Sequence, residues 1–372
     1  AVTGFASGVD VTVQNGTLSA MSSRDGGVTW TGTFTPNADV EDASNSISLA
    51  NSYTDVAGNT GGTATSGNYA IDTKAPLIQS LTADGTAKTV TLSYNETLDT
   101  ANLPAAGAFA VSIGGTPRTV TNVAASGNTL TLTLDGATFS GVTVSVTYTD
   151  PSAADGANAI QDAAGNDAVG FVQGILADGY IRGAQIYIDT NNNGVADPSE
   201  ALVGVVTDEN GNFFLPSTAP AGTIIAVGGV NIDTGLPNTS PLKAPAGSTT
   251  VNPLTTLVQA VIDAAPEGQT VSATVAAASV AASLGLTLPQ GQTLTSYDPL
   301  SATDDGAVAA QKAAAQIATL TTLAAEAAGQ DGAAAAVSSV LSNIATVVNT
   351  AAANVTPVSL SDTAVLSQAL SN

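Results

Sequence analysis

Apolar and polar residues alternate in short runs through the first half of the chain, and the spacing changes to a helical one only in the C-terminal third. In residues 1–73 alternation predicts strands at 9–13, 29–34, 46–49 and 68–72; in residues 76–170 it predicts longer ones at 89–94, 108–113, 129–134 and 142–148. Short, evenly spaced strands separated by Gly, Asn and Asp turns argue for all-β sandwiches. From residue 174 the strands continue at 184–188, 203–207, 213–215 and 224–227, with the Asn210-Gly211 pair as a hairpin turn. After residue 235 the period becomes 3.6. Leu254, Leu257, Val258, Val261 and Ile262 share one helical face behind Asn252 as cap and Pro253 in the first turn. Four more helices are predicted at 270–284, 304–328, 331–353 and 361–370, three of them closing near Gly285, Gly329 and Pro357.

The expected fold class is therefore mainly β with a C-terminal α part. It comprises tandem β-sandwiches (1–73 and 74–173), a small β-sandwich (174–235) and an Ala-rich helical bundle (236–372). Helices lined by alanine approach closely but bury little area at about 25 cal/mol per Å², so the bundle is expected to lean on the β-part or on a neighbour. The Ala-rich stretch at 333–355 carries Ser338, Ser339, Ser342, Asn343 and Asn349 and reads as a soluble helix, so direct membrane insertion is not expected.

Composition narrows the chemistry. The 372 residues contain no cysteine and no histidine, which removes disulfides, thiolate nucleophiles and the commonest general base and zinc ligand. Seven basic residues against thirty acidic ones give a formal charge of −23, which disfavours nucleic acid and favours cations. Enzymatic activity ranks last among the functions: two carboxylates occur in any acidic chain, and nothing in the sequence pairs them across a cleft.

The strongest local motif runs from residue 189 to 200 as D-T-N-N-N-G-V-A-D-P-S-E. Asp189, Asn191, Asn193, Asp197 and Glu200 stand at positions 1, 3, 5, 9 and 12 of a calcium loop, Gly194 at position 6 and the Val195 carbonyl at position 7. A hard cation takes six to eight oxygens, and this segment offers them. Both flanks read as strands, so a calcium ion here would stiffen a β-domain rather than open a helical groove. A metal-free Asn-Gly turn made by the same residues is the alternative. Weaker candidates for calcium are Asp150, Asp155, Asn158 and Asp162 in one long loop with Glu96 at a strand end, Asp55 with Asn59, and Asp72 in the segment joining the first two units.

An internal echo links those two units. Tyr53-Thr54-Asp55 followed by Ala57-Gly58-Asn59 is answered by Tyr148-Thr149-Asp150 and, after an insertion, Asp162-Ala163-Ala164-Gly165-Asn166. With the G-x-L-S, F-T-P, Y-T-D-x-A-G-N and Y-x-I-D-T-K-A-P stretches, the first unit resembles the bacterial Ig-like repeats of large secreted surface adhesins. The second unit is similar to the motility-associated adhesin repeat of such proteins, through Leu92-Ser93-Tyr94-Asn95-Glu96-Thr97-Leu98-Asp99, Tyr148-Thr149-Asp150-Pro151 and the Asp162–Asn166 stretch. The strand, D-x-N-x-N-G-x-x-D-x-x-E, strand, T-D-x-N-G-N, strand order of the third unit resembles the B-type prealbumin-like repeats of surface proteins. Some of those crosslink Lys to Asn; the first strand here has no lysine, and that bond is not carried over.

The resemblance implies secretion, a home on the bacterial cell surface or in its matrix, and calcium at turns and junctions. It also makes the first unit short by one or two opening strands, which either an excised start or a strand donated by a neighbouring chain would explain. The function expected is an extracellular structural or adhesive module, rigidified by calcium, that spaces, anchors or assembles a large surface protein. Neighbouring copies or domains of the same protein, and a cell-surface or polysaccharide ligand, are the partners expected. A self-assembling subunit of a surface layer or filament is the alternative. A carbohydrate-binding module ranks lower, because the single Trp30 and scattered tyrosines form no aromatic platform.

Overall fold

A computed structural model describes residues 1–151, 156–266, 268–329, 332–354 and 357–371. The chain divides into two compact units. The first takes Ala1–Pro76, Thr97–Leu103 and the described part of Ser152–Ala168; the second takes Leu77–Glu96, Pro104–Pro151 and Val169–Asn372. The architecture is mainly β with C-terminal helices, as the alternation predicted.

In the first unit, Val11–Val13, Ile47–Leu49 and Ala64–Thr65 form a three-stranded sheet, Gly16–Leu18 pairs with Phe34–Pro36, and Glu41–Asn45 pairs with Tyr69–Asp72. The strand predicted at 29–34 starts only at Phe34, because two glycines at positive φ, Gly26 and Gly27, and an Asx turn at Asp25 hold the preceding residues in a loop. Thr97–Leu103 joins this unit through Leu98 opposite Asp162 and the Asp99 amide donating to the Gln161 carbonyl (2.8 Å).

The second unit begins with a two-sheet sandwich. One sheet runs Val120–Ser126, Thr129–Leu134, Thr89–Tyr94, Ile78–Asp84; the other runs Thr116–Arg118, Phe109–Ile113, Val144–Tyr148, Phe171–Leu176, Asn212–Pro216. Strict alternation turns Val90, Leu92, Tyr94, Leu130, Leu132 and Leu134 inward, all between 0% and 3% exposed. Phe109 stacks on Tyr148 at 5.2 Å, and Phe171 meets Phe214 edge-on at 5.3 Å.

Strand Phe171–Leu176 pairs with Val144–Tyr148 on one side and Asn212–Pro216 on the other, so one sheet runs from the second repeat into the calcium-loop region. A boundary after residue 173 falls inside this strand. A further sheet, Ala201–Val206, Gln185–Asp189, Thr223–Val227, Leu242–Ala244, follows. The helical region begins later than residue 236: Leu242–Ala244 adds to this sheet, and Thr250–Val251 runs parallel to Phe171–Leu176.

Among the described residues five α-helices follow: α1 Pro253–Asp263, α2 Ala273–Ser283, α3 Ala307–Ala328, α4 Ala333–Asn354 and α5 Thr363–Ala369. At α1 a capping box closes the start, with Asn252 accepting from the Thr255 amide and the Thr255 hydroxyl from the Asn252 amide (2.8 Å each). Leu254, Leu257, Val258 and Val261 pack there against Ile317, Ile344 and Val348. The bundle leans on the β-part of its own unit: the Lys243 amide and carbonyl bond Thr256 and Thr255, and Tyr180 donates to buried Asp298 (2.8 Å). By length and composition Ala333–Ala352 could cross a membrane; in the fold its Val340, Leu341, Ile344 and Val348 belong to the helical core.

Candidate metal centre

Strand Gln185–Asp189 delivers Asp189, 2% exposed, to the start of the 189–200 loop, and Tyr187 opposite Ala201 clamps the loop's two ends. Left-handed backbone at Asn192 (φ 57°) and Gly194 (φ 73°) makes the sharp reversal that position 6 needs. The loop then closes on itself. Asp189 Oδ1 accepts from the Asn193 amide (3.2 Å) and Oδ2 from the Gly194 amide (2.8 Å). From the far end, Glu200 Oε1 accepts from the Thr190 amide and hydroxyl (2.8 Å each) and the Asn191 amide (3.3 Å). Asp197 Oδ2 accepts from the side-chain amides of Asn191 and Asn193 (2.9 Å each). Lys243 Nζ, from strand Leu242–Ala244 at the edge of the same sheet, pins the Gly194 carbonyl (2.6 Å).

Five of the expected ligand residues are thus hydrogen-bonded within one turn, with the side-chain nitrogens of Asn191 and Asn193 pointing at Asp197 and their Oδ1 atoms accepting from the Asn193 and Val195 amides (2.9 and 2.7 Å). The bond from the Thr190 amide holds the Glu200 carboxyl below its ordinary value, so it is an anion at neutral pH. Its second oxygen, Oε2, is buried without a hydrogen-bond partner. A buried, unpartnered carboxylate oxygen costs free energy unless something compensates it. In the loop pattern this is the bidentate ligand, and a cation seated among Asp189, Asn191, Asn193, Asp197 and Glu200 would supply the missing charge.

The other acidic candidates sort differently. Asp55 Oδ1 accepts from the amides of Ala57 (2.9 Å) and Asn59 (2.8 Å), while Oδ2 accepts from Asn59 Nδ2 (2.9 Å). Asp162 Oδ1 accepts from the Ala164, Gly165 and Asn166 amides (2.8, 2.7 and 2.9 Å) and its Oδ2 from Asn166 Nδ2 (2.7 Å). A third copy of this D-x-x-G-N turn stands at Asp208: Oδ1 accepts from the Asn210 and Asn212 amides (2.8 and 2.9 Å), Oδ2 from Asn212 Nδ2 (3.0 Å). In all three the glycine sits at positive φ (86°, 94° and 81°) and the aspartate amide donates back to the asparagine carbonyl. Asp55, Asn59 and Asp162 therefore take part in turns that complete their own hydrogen bonding.

Asp162 is also brought to Asp72, their carboxylate oxygens lying within 4.8 Å, and Asn166 Nδ2 reaches Asp72 Oδ1 at 3.3 Å. Of the residues grouped with Asp162 in the sequence, Asn158 (φ 76°, exposed) lies in the first unit, Asp150 and Glu96 fall in segments of the second, and Asp155 lies outside the described residues. Sequence reasoning missed Lys243, Asn166 and the Asp208 turn. The repeated D-x-x-G-N string was the signal for the last two. It also missed a cavity of about 230 Å³ in the second unit, lined by Asp178, Asn231, Thr234, Ile317, Thr322 and Leu341 among others, where burial pushes the Asp178 carboxyl up.

Residues 1–71 match the family model of a bacterial Ig-like domain, and residues 71–153 match a repeat family named for an association with flagellar systems. The N-terminal part of the chain is built of bacterial Ig-like repeats. No curated protein and no solved structure matches the chain. The Ig-like repeats mark the chain as a structural module of the extracellular or surface-exposed kind.

Proposed function

We propose that this chain is a calcium-stiffened load-bearing module of a large bacterial surface protein, serving anchoring, adhesion or matrix assembly. The observation that carries the calcium reading is the buried, unpartnered Glu200 Oε2 at position 12 of a loop whose acidic and asparagine side chains are hydrogen-bonded within the same turn. The strand, loop, strand, D-x-x-G-N turn, strand order supports reading residues 174–235 as B-type prealbumin-like. The sheet carried by strand Phe171–Leu176 from the second repeat into that region gives the loop a mechanical purpose. A cation that fixes 189–200 also fixes the Gln185–Asp189 and Ala201–Val206 strands. The match to a repeat family named for flagellar systems supports a place in surface or motility machinery.

Thermal melting of the full chain in calcium and in excess EDTA tests this. Calcium is expected to raise the melting temperature, and Glu200→Gln to abolish most of that rise while the chain still folds. Equal melting curves in calcium and chelator would remove the stiffening role.

A further inference from the structure

The chain contains three Asn-Gly pairs: Asn15-Gly16, Asn193-Gly194 and Asn210-Gly211. Glycine carries no Cβ beside its own amide nitrogen, so the carboxamide of a preceding asparagine can reach that nitrogen and close a cyclic imide. What holds the two groups decides whether this happens, and the three pairs are held differently.

At Asn210 the Gly211 amide donates to the Asp208 backbone carbonyl (3.0 Å), an acceptor that does not take the proton, and Gly211 is buried. At Asn15 the side-chain nitrogen is tied to Asp42 Oδ2 (2.7 Å) and Asn45 Oδ1 (2.8 Å). Among the described residues neither glycine amide meets a carboxylate, and no donor reaches either asparagine Oδ1.

Asn193 has both. The Gly194 amide donates to Oδ2 of Asp189 (2.8 Å), a carboxylate that can accept its proton. Asn193 Oδ1 accepts from the Val195 amide (2.7 Å), which folds the carboxamide back over the Gly194 peptide. Lys243 Nζ donates to the Gly194 carbonyl (2.6 Å). That carbonyl and the Val195 N–H belong to one peptide unit, so the ammonium polarises the donor that faces Asn193 Oδ1. A proton acceptor on the attacking nitrogen and a strengthened donor on the oxygen that gathers charge are the aids that acyl transfer needs. Asn193 is exposed, so water reaches it.

We propose that Asn193 is a self-modification site, at which the metal-free loop converts this asparagine to aspartate or isoaspartate through a cyclic imide. The Gly194 nitrogen bonds to Asn193 Cγ as its proton passes to Asp189, and the Val195 amide meets the charge on Oδ1. The Cγ–Nδ2 bond then breaks, and the nitrogen takes up that proton through solvent and leaves as ammonia. Water adds to either imide carbonyl, and the bond from that carbonyl to the Gly194 nitrogen opens. One water is consumed, one ammonia is released, and no electrons are transferred. Lys243 acts through the Gly194 carbonyl and is a positioning residue.

The consequence rests on the calcium reading. An aspartate at position 5 joins Asp189, Asp197 and Glu200 and strengthens the loop's hold on a hard cation. A bound cation draws Asp189 and the Asn193 oxygen to itself, which withdraws both aids and protects the asparagine.

The full chain is incubated at neutral pH in EDTA and mapped by peptide mass spectrometry over time, each site being read as the mass gain from asparagine to aspartate. Asn193 is expected to convert about tenfold faster than Asn15 or Asn210, below the roughly hundredfold that one oxyanion donor contributes in a closed active site. In urea the three rates should draw level. Asp189→Asn should slow conversion of Asn193 and leave Asn210 unchanged. Because that variant removes a buried carboxylate, a second pair tests the site independently: Lys243→Met should slow Asn193 and Lys243→Arg restore it. The proposal is overturned if Asn193 converts no faster than Asn210, if its lead survives in urea, or if neither Asp189→Asn nor Lys243→Met slows it. Calcium in place of EDTA should suppress the conversion. Conversion that is fast in EDTA and indifferent to calcium leaves the modification standing and counts against the calcium reading, whereas a melt that responds to calcium without conversion in EDTA does the reverse.

Discussion

The 189–200 loop and the three D-x-x-G-N turns draw on the same residues, acids beside asparagine and a glycine at positive φ, and differ in what is left over. In each turn a single aspartate accepts from two or three amides and from the asparagine four residues on, and among the described residues none of these aspartates has a buried oxygen without a partner. The loop is longer, brings three carboxylates to one turn, and leaves Glu200 Oε2 buried and bare. These acidic glycine turns therefore differ in hydrogen-bond completeness: a loop with an anionic remainder has a stronger reason to bind a cation than a turn that satisfies its own aspartate.

Four measurements break or sharpen this contrast. The largest effect is expected for Asp208→Ala. This buried turn loses the acceptor for its own amides and for the Leu81 amide (3.3 Å), leaving buried donors unpaired at about 1–3 kcal/mol each. A chemical melt should show several kcal/mol lost with or without calcium; a calcium-dependent loss would mean the turn holds metal. Next comes the cation itself. Calcium at a hundred times its dissociation constant should add about 2.7 kcal/mol, and Glu200→Gln should remove most of the increment without changing the melt in EDTA. Should Glu200→Gln melt with an undiminished calcium response, the ion sits elsewhere, with the Asp72 and Asp162 pair the first place to look. Asp55→Ala, in the exposed copy of the turn, should lower the first unit's melting temperature by only a small fraction of the Asp208 effect, read at Trp30, and be indifferent to chelator.

The smallest is a pH effect. The Thr29 amide and hydroxyl, with Ser23, hold the Asp25 carboxyl down at about 2, below an ordinary value of about 3.9. A depressed carboxylate stabilises above its unfolded value and loses that contribution as pH falls through the folded one. The first unit should therefore melt slightly lower as pH drops from about 4 to about 2, and Asp25→Asn should flatten that slope.

Much of this was legible in the chain before folding. Alternation located Thr89–Tyr94 and Thr129–Leu134, because a strand with one buried face must write its burial into every second residue. Asn252-Pro253 and the Leu254, Leu257, Val258, Val261 spacing located α1 for the same kind of local reason. The helical boundary near 236 was misplaced because Leu242-Lys243-Ala244 is too short to show a period, and its pairing with Thr223–Val227 is a long-range event. That Asn166 bonds both Asp162 and Asp72 is likewise a long-range outcome, because Asp72 lies 94 residues before Asn166 in the chain.

The sequence by itself determined the residue types at all positions of the 189–200 loop, the class of the helices and of strands such as Thr89–Tyr94 and Thr129–Leu134, and the absence of thiol and imidazole chemistry, since each is a matter of composition or of a repeat a few residues long. Only the tertiary structure decided that Phe171–Leu176 belongs to two pairings at once, that Glu200 keeps one oxygen buried and unmatched, and that Leu242–Ala244 joins the sheet of Thr223–Val227. Those are outcomes of contacts between residues far apart in the chain, where pairing partners compete and no local pattern records the winner.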